Sequence, residues 1–119
     1  MLMTTDHLIA NPCDDEEDNL AMLCCLSAQG EMFMMSRYPD EDELDITLGE
    51  NDPSTVEGVK VTLSAGRLLI EVAAQDSDAF NGEDHLDIRF DPAATDLDEV
   101  EQTLKIILDG TGTYISELS

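Results

Sequence analysis

The sequence predicts an α+β domain, a twisted antiparallel sheet of about five to six strands with one carboxyl-terminal amphipathic helix packed on one face. Three observations carry that reading. Apolar and polar residues alternate at period two through Leu44–Leu48, Val59–Leu63 and Leu86–Phe90, the pattern of half-buried strands. The spacing then lengthens to that of a helix at Leu97, Val100, Leu104, Ile107 and Leu108. Between the apolar runs lie short connections rich in Gly, Asn, Asp and Ser, which suit antiparallel hairpins.

Taken in order, residues 1–18 read as a loose, mobile acidic segment that ends in the block Asp14-Asp15-Glu16-Glu17-Asp18. Leu20–Leu26 is continuously apolar, and Gln29-Gly30 separates it from Met32-Phe33-Met34-Met35, so a strand, a turn and a strand are expected. Pro39 stops the second of these, and Asp40-Glu41-Asp42-Glu43 follows as an acidic loop. The strand Glu43–Leu48 comes next, then turn residues at Gly49, Asn51-Asp52-Pro53 and Gly58. Val59–Leu63 and Arg67–Val72 flank Ser64-Ala65-Gly66 and form a hairpin. A polar loop from Gln75 to Asp84 leads to the sixth strand, Leu86–Phe90.

The helix starts at a Thr95 or Asp96 cap, carries early acids that suit its positive end, and stops at Gly110. The tail, 110–119, has Tyr114 and Ile115 to dock it on the body. Residues 19–109 thus supply the sheet and helix of a single domain, a size that buries roughly two-thirds of the unfolded chain's surface. The solvent face of the sheet carries Asp45, Thr47, Lys60, Thr62, Glu71, Asp87 and Arg89, whose charges partly cancel.

Twenty-eight acidic residues stand against five Lys and Arg, for a formal charge of -23. Five scattered cations cannot neutralise a run of phosphates or anionic lipid heads, which excludes direct nucleic-acid binding and a polybasic membrane anchor. At 42% hydrophobic the chain still has the material for a core. Trp is absent and aromatics are 4%, so no base-stacking platform is expected. Met1–Pro12 has no Lys or Arg and no signal-length apolar run, and no stretch has the roughly 18 apolar residues of a membrane span. The expected compartment is the cytoplasm, with Cys13, Cys24 and Cys25 as reduced thiols, at least one of them buried.

Catalytic signatures are missing from the chain: no phosphate-binding Gly loop, no Cys-x-x-Cys, no His-Glu-x-x-His and no Gly-x-Ser-x-Gly. His7 falls in the loose amino segment, and His85 opens a strand beside Glu83, Asp84 and Asp87, the setting of a surface histidine. The run Asp76–Gly82 places Phe80 and Asn81 where a calcium loop wants an oxygen ligand and Gly. No catalytic residue, cofactor or metal is expected, and the chain reads as a non-enzyme.

What remains is the acidity itself, concentrated in residues 14–18, 40–45 and 76–87. One charged run is usually a solvated loop. Three on a small domain raise self-repulsion that solubility alone does not require, whereas a basic protein partner would be steered and selected by the same charges. The candidate partner-binding residues are Asp40, Glu41, Asp42, Glu43, Asp45, Asp76, Asp78, Glu83, Asp84 and Asp87. The Met-rich run 32–35 is expected to be core filling; the alternative reading is that its outward members form an adaptable contact patch instead.

Residues 43–108 resemble the immunity protein 10 family of bacterial polymorphic-toxin systems. The likeness rests on the strand Glu43–Leu48, the spacing Val56-x-Gly58-Val59-x-Val61-x-Leu63, the return Gly66–Val72, the strand Leu86–Phe90 and the closing helix Leu97–Leu108. Where the family carries an Asp-Gln pair before the second block, this chain has Glu50-Asn51-Asp52. The resemblance implies a small cytoplasmic α+β protein that binds and neutralises a cognate toxin as a one-to-one heterodimer. The toxin would be a basic nuclease or nucleic-acid deaminase whose active site the acidic loops cover. The alternative from size and charge is an acidic secretion chaperone of the type III kind, which would hold its effector as a homodimer.

Overall fold

The computed structural model describes residues 2–14, 19–49, 52–56, 58–80 and 82–117, with the side chains of 13 and 14 outside that description. Among the described residues, ten strands and one α-helix follow one another as β1 (Leu2–Thr4), β2 (Ile9–Asp14), β3 (Leu20–Leu26), β4 (Met32–Arg37), β5 (Leu44–Leu48), β6 (Ser54–Val56), β7 (Val59–Ser64), β8 (Arg67–Glu71), β9 (His85–Arg89), α1 (Leu97–Leu108) and β10 (Gly112–Ser116). A 3-10 helix spans Ala74–Phe80 and a 3-10 turn Pro92–Ala94. The α+β class and the closing helix agree with the sequence, and all six expected strands are present as β3, β4, β5, β7, β8 and β9.

Their distribution differs from one sheet. The strands form two five-stranded sheets, β1-β9-β8-β7-β10 and β2-β3-β4-β5-β6. The second is antiparallel throughout. In the first, an antiparallel β7-β8-β9 meander is flanked by β1 and β10, both paired in parallel. Each sheet buries one face: Leu23, Phe33, Met35 and Ile46 on one, Val61, Leu63, Leu68, Ile70 and Ile88 on the other, all essentially without solvent contact. The two faces share a single core. Cys25 of β3 touches Met3 of β1 across it, Sγ to Sδ at 3.8 Å. Period-two alternation records that one side of a strand is dry; it is equally satisfied by a second sheet or by a helix.

Helix α1 packs against β2 and β3 of one sheet and β7 and β10 of the other, closing one side of the sandwich. Val100, Thr103, Leu104, Ile107 and Leu108 face inward, each large apolar side chain contributing roughly 1.5–3 kcal/mol. Asp96 is the cap, its carboxylate accepting from the Glu99 N–H at 3.2 Å. Thr95 serves a different contact, in which its buried hydroxyl accepts from the Leu8 N–H at 3.2 Å and ties the amino-terminal segment to the helix start.

The amino-terminal expectation is corrected, and the tail docks on the body as expected, as a strand. Of residues 1–18, read as loose, 2–14 supply β1 and β2. β2 lies at a sheet edge and has its register shift between Asn11 and Asp14, where Pro12 costs no interior ladder bond. The tail carries β10, which slots beside β7 because Gly112 has no side chain; a Cβ there would lie 2.3 Å from the Val59 carbonyl oxygen. Short edge strands like these carry little of the apolar alternation that marks central ones.

Candidate protein-binding surface

The five Lys and Arg are all engaged within the fold. On the outer face of the β1-β9-β8-β7-β10 sheet, Lys60 lies 3.8 Å from Glu71, and Asp87 takes both Arg67 and Arg89 at 3.0 Å. Partial burial opposes ionisation of Asp87, but the hydrogen bonds and charges of the two guanidiniums outweigh it and hold the carboxyl below its ordinary range. On α1, Lys105 stands 3.7 Å from Glu101. Glu101 accepts from the Tyr114 hydroxyl at 2.8 Å, and that bond leads the effects that lower its pKa. Arg37 reaches from β4 to the carbonyls at the end of α1.

The expected solvent face is therefore two faces. Lys60, Thr62, Glu71, Asp87 and Arg89 share one sheet, where their charges balance, while Asp45 and Thr47 belong to the other. At the β5–β6 border of that second sheet, Asp45 accepts from the Thr55 hydroxyl at 2.9 Å, opposite it in the ladder. Glu41, Asp42, Glu43, Asp45 and Thr55 line one open hollow there. Thr55 also lines a second hollow with Ser54, Val56, Gln75, Asp76 and Asp78. Six of the ten expected residues thus gather on the two sides of the edge strand β6. Among the described residues, no Lys or Arg lines either hollow.

Local chemistry fixes both acidic segments. In the β4–β5 loop the Glu41 N–H donates to the Tyr38 carbonyl at 3.1 Å, and the Glu41 carbonyl accepts from Arg37 Nε at 2.8 Å. The loop's main chain is turned inward to these bonds, and Asp40, Glu41, Asp42 and Glu43 are exposed. Asp40 borders a shallow hollow with Tyr38, Pro39 and Glu41. The 3-10 helix carrying Asp76 and Asp78 is anchored by buried Ala79 and Phe80, against β5, β6 and β9.

The other three candidates stand apart. Glu83 and Asp84 lead into β9, and Asp84 lies 3.1 Å from His85 Nδ1, a bond that leads the effects lowering its pKa. Asp87 is only 15% exposed and is committed to its two arginines. The block 14–18 lies outside the described residues, apart from the main chain of Asp14. His7 and His85 are exposed, and Cys24 and Cys25 are free thiols on opposite faces of β3. Burial and neighbouring Cys24 push the Cys25 thiol up to about 12.

Comparison with protein-family models, curated proteins and solved structures finds no match. The surface must be read from its own chemistry. Sequence reasoning passed over β6 and Thr55; the available signal was the β-branched pair Thr55-Val56 set between Pro53 and Gly58. It also passed over Arg37, whose role depends on a helix some seventy residues away in the chain. In the Met-rich run, Phe33 and Met35 are core, while Met32 and Met34 point outward.

Proposed function

We propose that this chain is an inhibitor of a basic protein, an immunity protein that neutralises a cognate bacterial toxin acting in the cytoplasm. The supporting observation is the segregation of charge. Every cation is held by Glu71, Asp87, Glu101 or the end of α1, and the two hollows flanking β6 are lined by acids, with no Lys or Arg among the described residues. Carboxylates at this edge would meet the basic channel of a nuclease or nucleic-acid deaminase where substrate phosphates otherwise lie. Such complementarity speeds association and rejects acidic competitors. The partner is a protein, the complex one-to-one, and the chain itself performs no chemistry.

The test takes a basic nuclease or deaminase domain encoded beside this gene. Mixing should give a one-to-one complex with loss of enzyme activity, formed at a rate that falls steeply with salt. The combined Glu41→Gln, Asp42→Asn, Glu43→Gln and Asp45→Asn variant should associate at least roughly tenfold more slowly. Absence of a complex at low salt, or association of the variant at the parent rate, overturns the proposal. A homodimer that wraps an extended segment of its partner would instead support the secretion-chaperone reading.

A further inference from the structure

We propose that the outer face of β2, β3 and β4 is the docking face for a partner segment that is apolar along one side and carries Lys or Arg beside it. The inference deepens the basic-partner reading and rests on it. In ladder register, Ile9 stands opposite Cys24 and Cys24 opposite Met34, while Leu26 stands opposite Met32. These residues alternate with Leu23, Cys25, Phe33 and Met35, which are buried, so they project to the solvent side together with Met22. Ile9 is 50% exposed, Leu26 62% and Met32 43%. The outer face of the other sheet also carries exposed Leu2 and half-buried Leu69, but in the ladder these two are separated by Asp87, which is held in ion pairs. Single exposed apolar residues need no explanation, whereas a contiguous group on one sheet face marks an interaction surface. Methionines make such a surface adaptable.

Charge selects the occupant. In the next columns of the ladder Met34 is followed by Thr47 and Ser36 by Asp45, which leads into the acidic hollow of Glu41, Asp42, Glu43 and Asp45. At the hairpin end, Glu31 lies against Gly49, beside Met32. The face is therefore an apolar centre with acidic borders, the anatomy of a protein interface whose partner has basic borders. A second copy would bring another charge of -23 and the same acids, so it is the disfavoured occupant.

The probe is a helical peptide with leucine on one side and lysine on the other, compared at low salt with a peptide of equal charge in which glutamine replaces leucine. Titration of the full chain should show the leucine peptide binding about tenfold or more tightly, as burial of two or three such side chains implies. The Leu26→Thr, Met32→Thr, Met34→Thr variant should bind both peptides at the weaker value. Leu26→Thr alone, at the most exposed of the three positions, should lose part of the preference and guards against misfolding of the triple variant. Equal binding of the two peptides by the parent overturns the docking face and leaves the basic-partner reading standing. Failure of both peptides to bind overturns both. Sedimentation showing a parent dimer that the triple variant loses assigns the face to a second copy and overturns the proposal.

Discussion

Arg37 of β4 donates its guanidinium to the main-chain carbonyl of Asp109, the residue that ends α1. The same side chain donates to the Ile106 carbonyl at 3.2 Å and, through Nε, to the Glu41 carbonyl at 2.8 Å. One cation thereby satisfies orphan carbonyls at the negative end of the helix and pins the acidic loop. Arg37→Met should cost about 1–2 kcal/mol in urea unfolding and speed hydrogen exchange at Glu41. Arg37→Lys keeps the charge without the fork and should fall between the two; equal stability of all three proteins would remove the role.

Gly112 lets β10 enter between β7 and the helix. A Cβ there would lie 2.3 Å from the Val59 carbonyl oxygen and 3.0 Å from Leu108 Cδ2. Gly112→Ala should lower stability by about 1–3 kcal/mol. Thr113→Ala, at an exposed position of the same strand, should change it little, as thermal unfolding of the pair would show.

Asp87 sits under Arg67 and Arg89 with its pKa lowered in the fold. Its stabilisation is present above the unfolded value, about pH 4, and is lost as pH falls through the depressed folded value. Asp87→Asn should therefore be less stable than the parent by about 1–2 kcal/mol near neutral pH. The gap should close in acid, and a pH series of unfolding midpoints reads it directly.

Tyr114 behaves with the opposite sign. Burial and its bond to Glu101 push the phenol up to about 12, so its contribution is complete below the unfolded value, about pH 10, and declines as pH rises toward the folded one. The parent should lose more stability over that alkaline window than Tyr114→Phe. Parallel pH curves for the two proteins would contradict the assignment.

Much of the candidate surface was legible in the chain, and the residues that departed from expectation did so for physical reasons. Glu41, Asp42, Glu43 and Asp45 are consecutive or nearly so, and their proximity needs no fold. That Asp76 and Asp78 join them depends on Phe80, whose burial seats the 3-10 helix against β5 and β6. Asp87 is similar in sequence to the others yet is drawn into an ion-pair cluster, because Arg67 stands beside it only once β8 and β9 pair.

By itself the sequence determined the charge of -23, the dry side of the alternating strands β5, β7 and β9, and the helix with a cap at Thr95 or Asp96. These are local properties: periodicity and capping depend on residues a few positions apart. Only the tertiary structure decided that the strands divide into two sheets, that β1 and β10 close one of them in parallel, and that the cations collect away from β6. Edge strands pair through main-chain groups that every residue carries, and facing sheets are held by non-directional burial, so neither leaves a unique side-chain signature. An acid's availability is settled by which cation the fold brings to it.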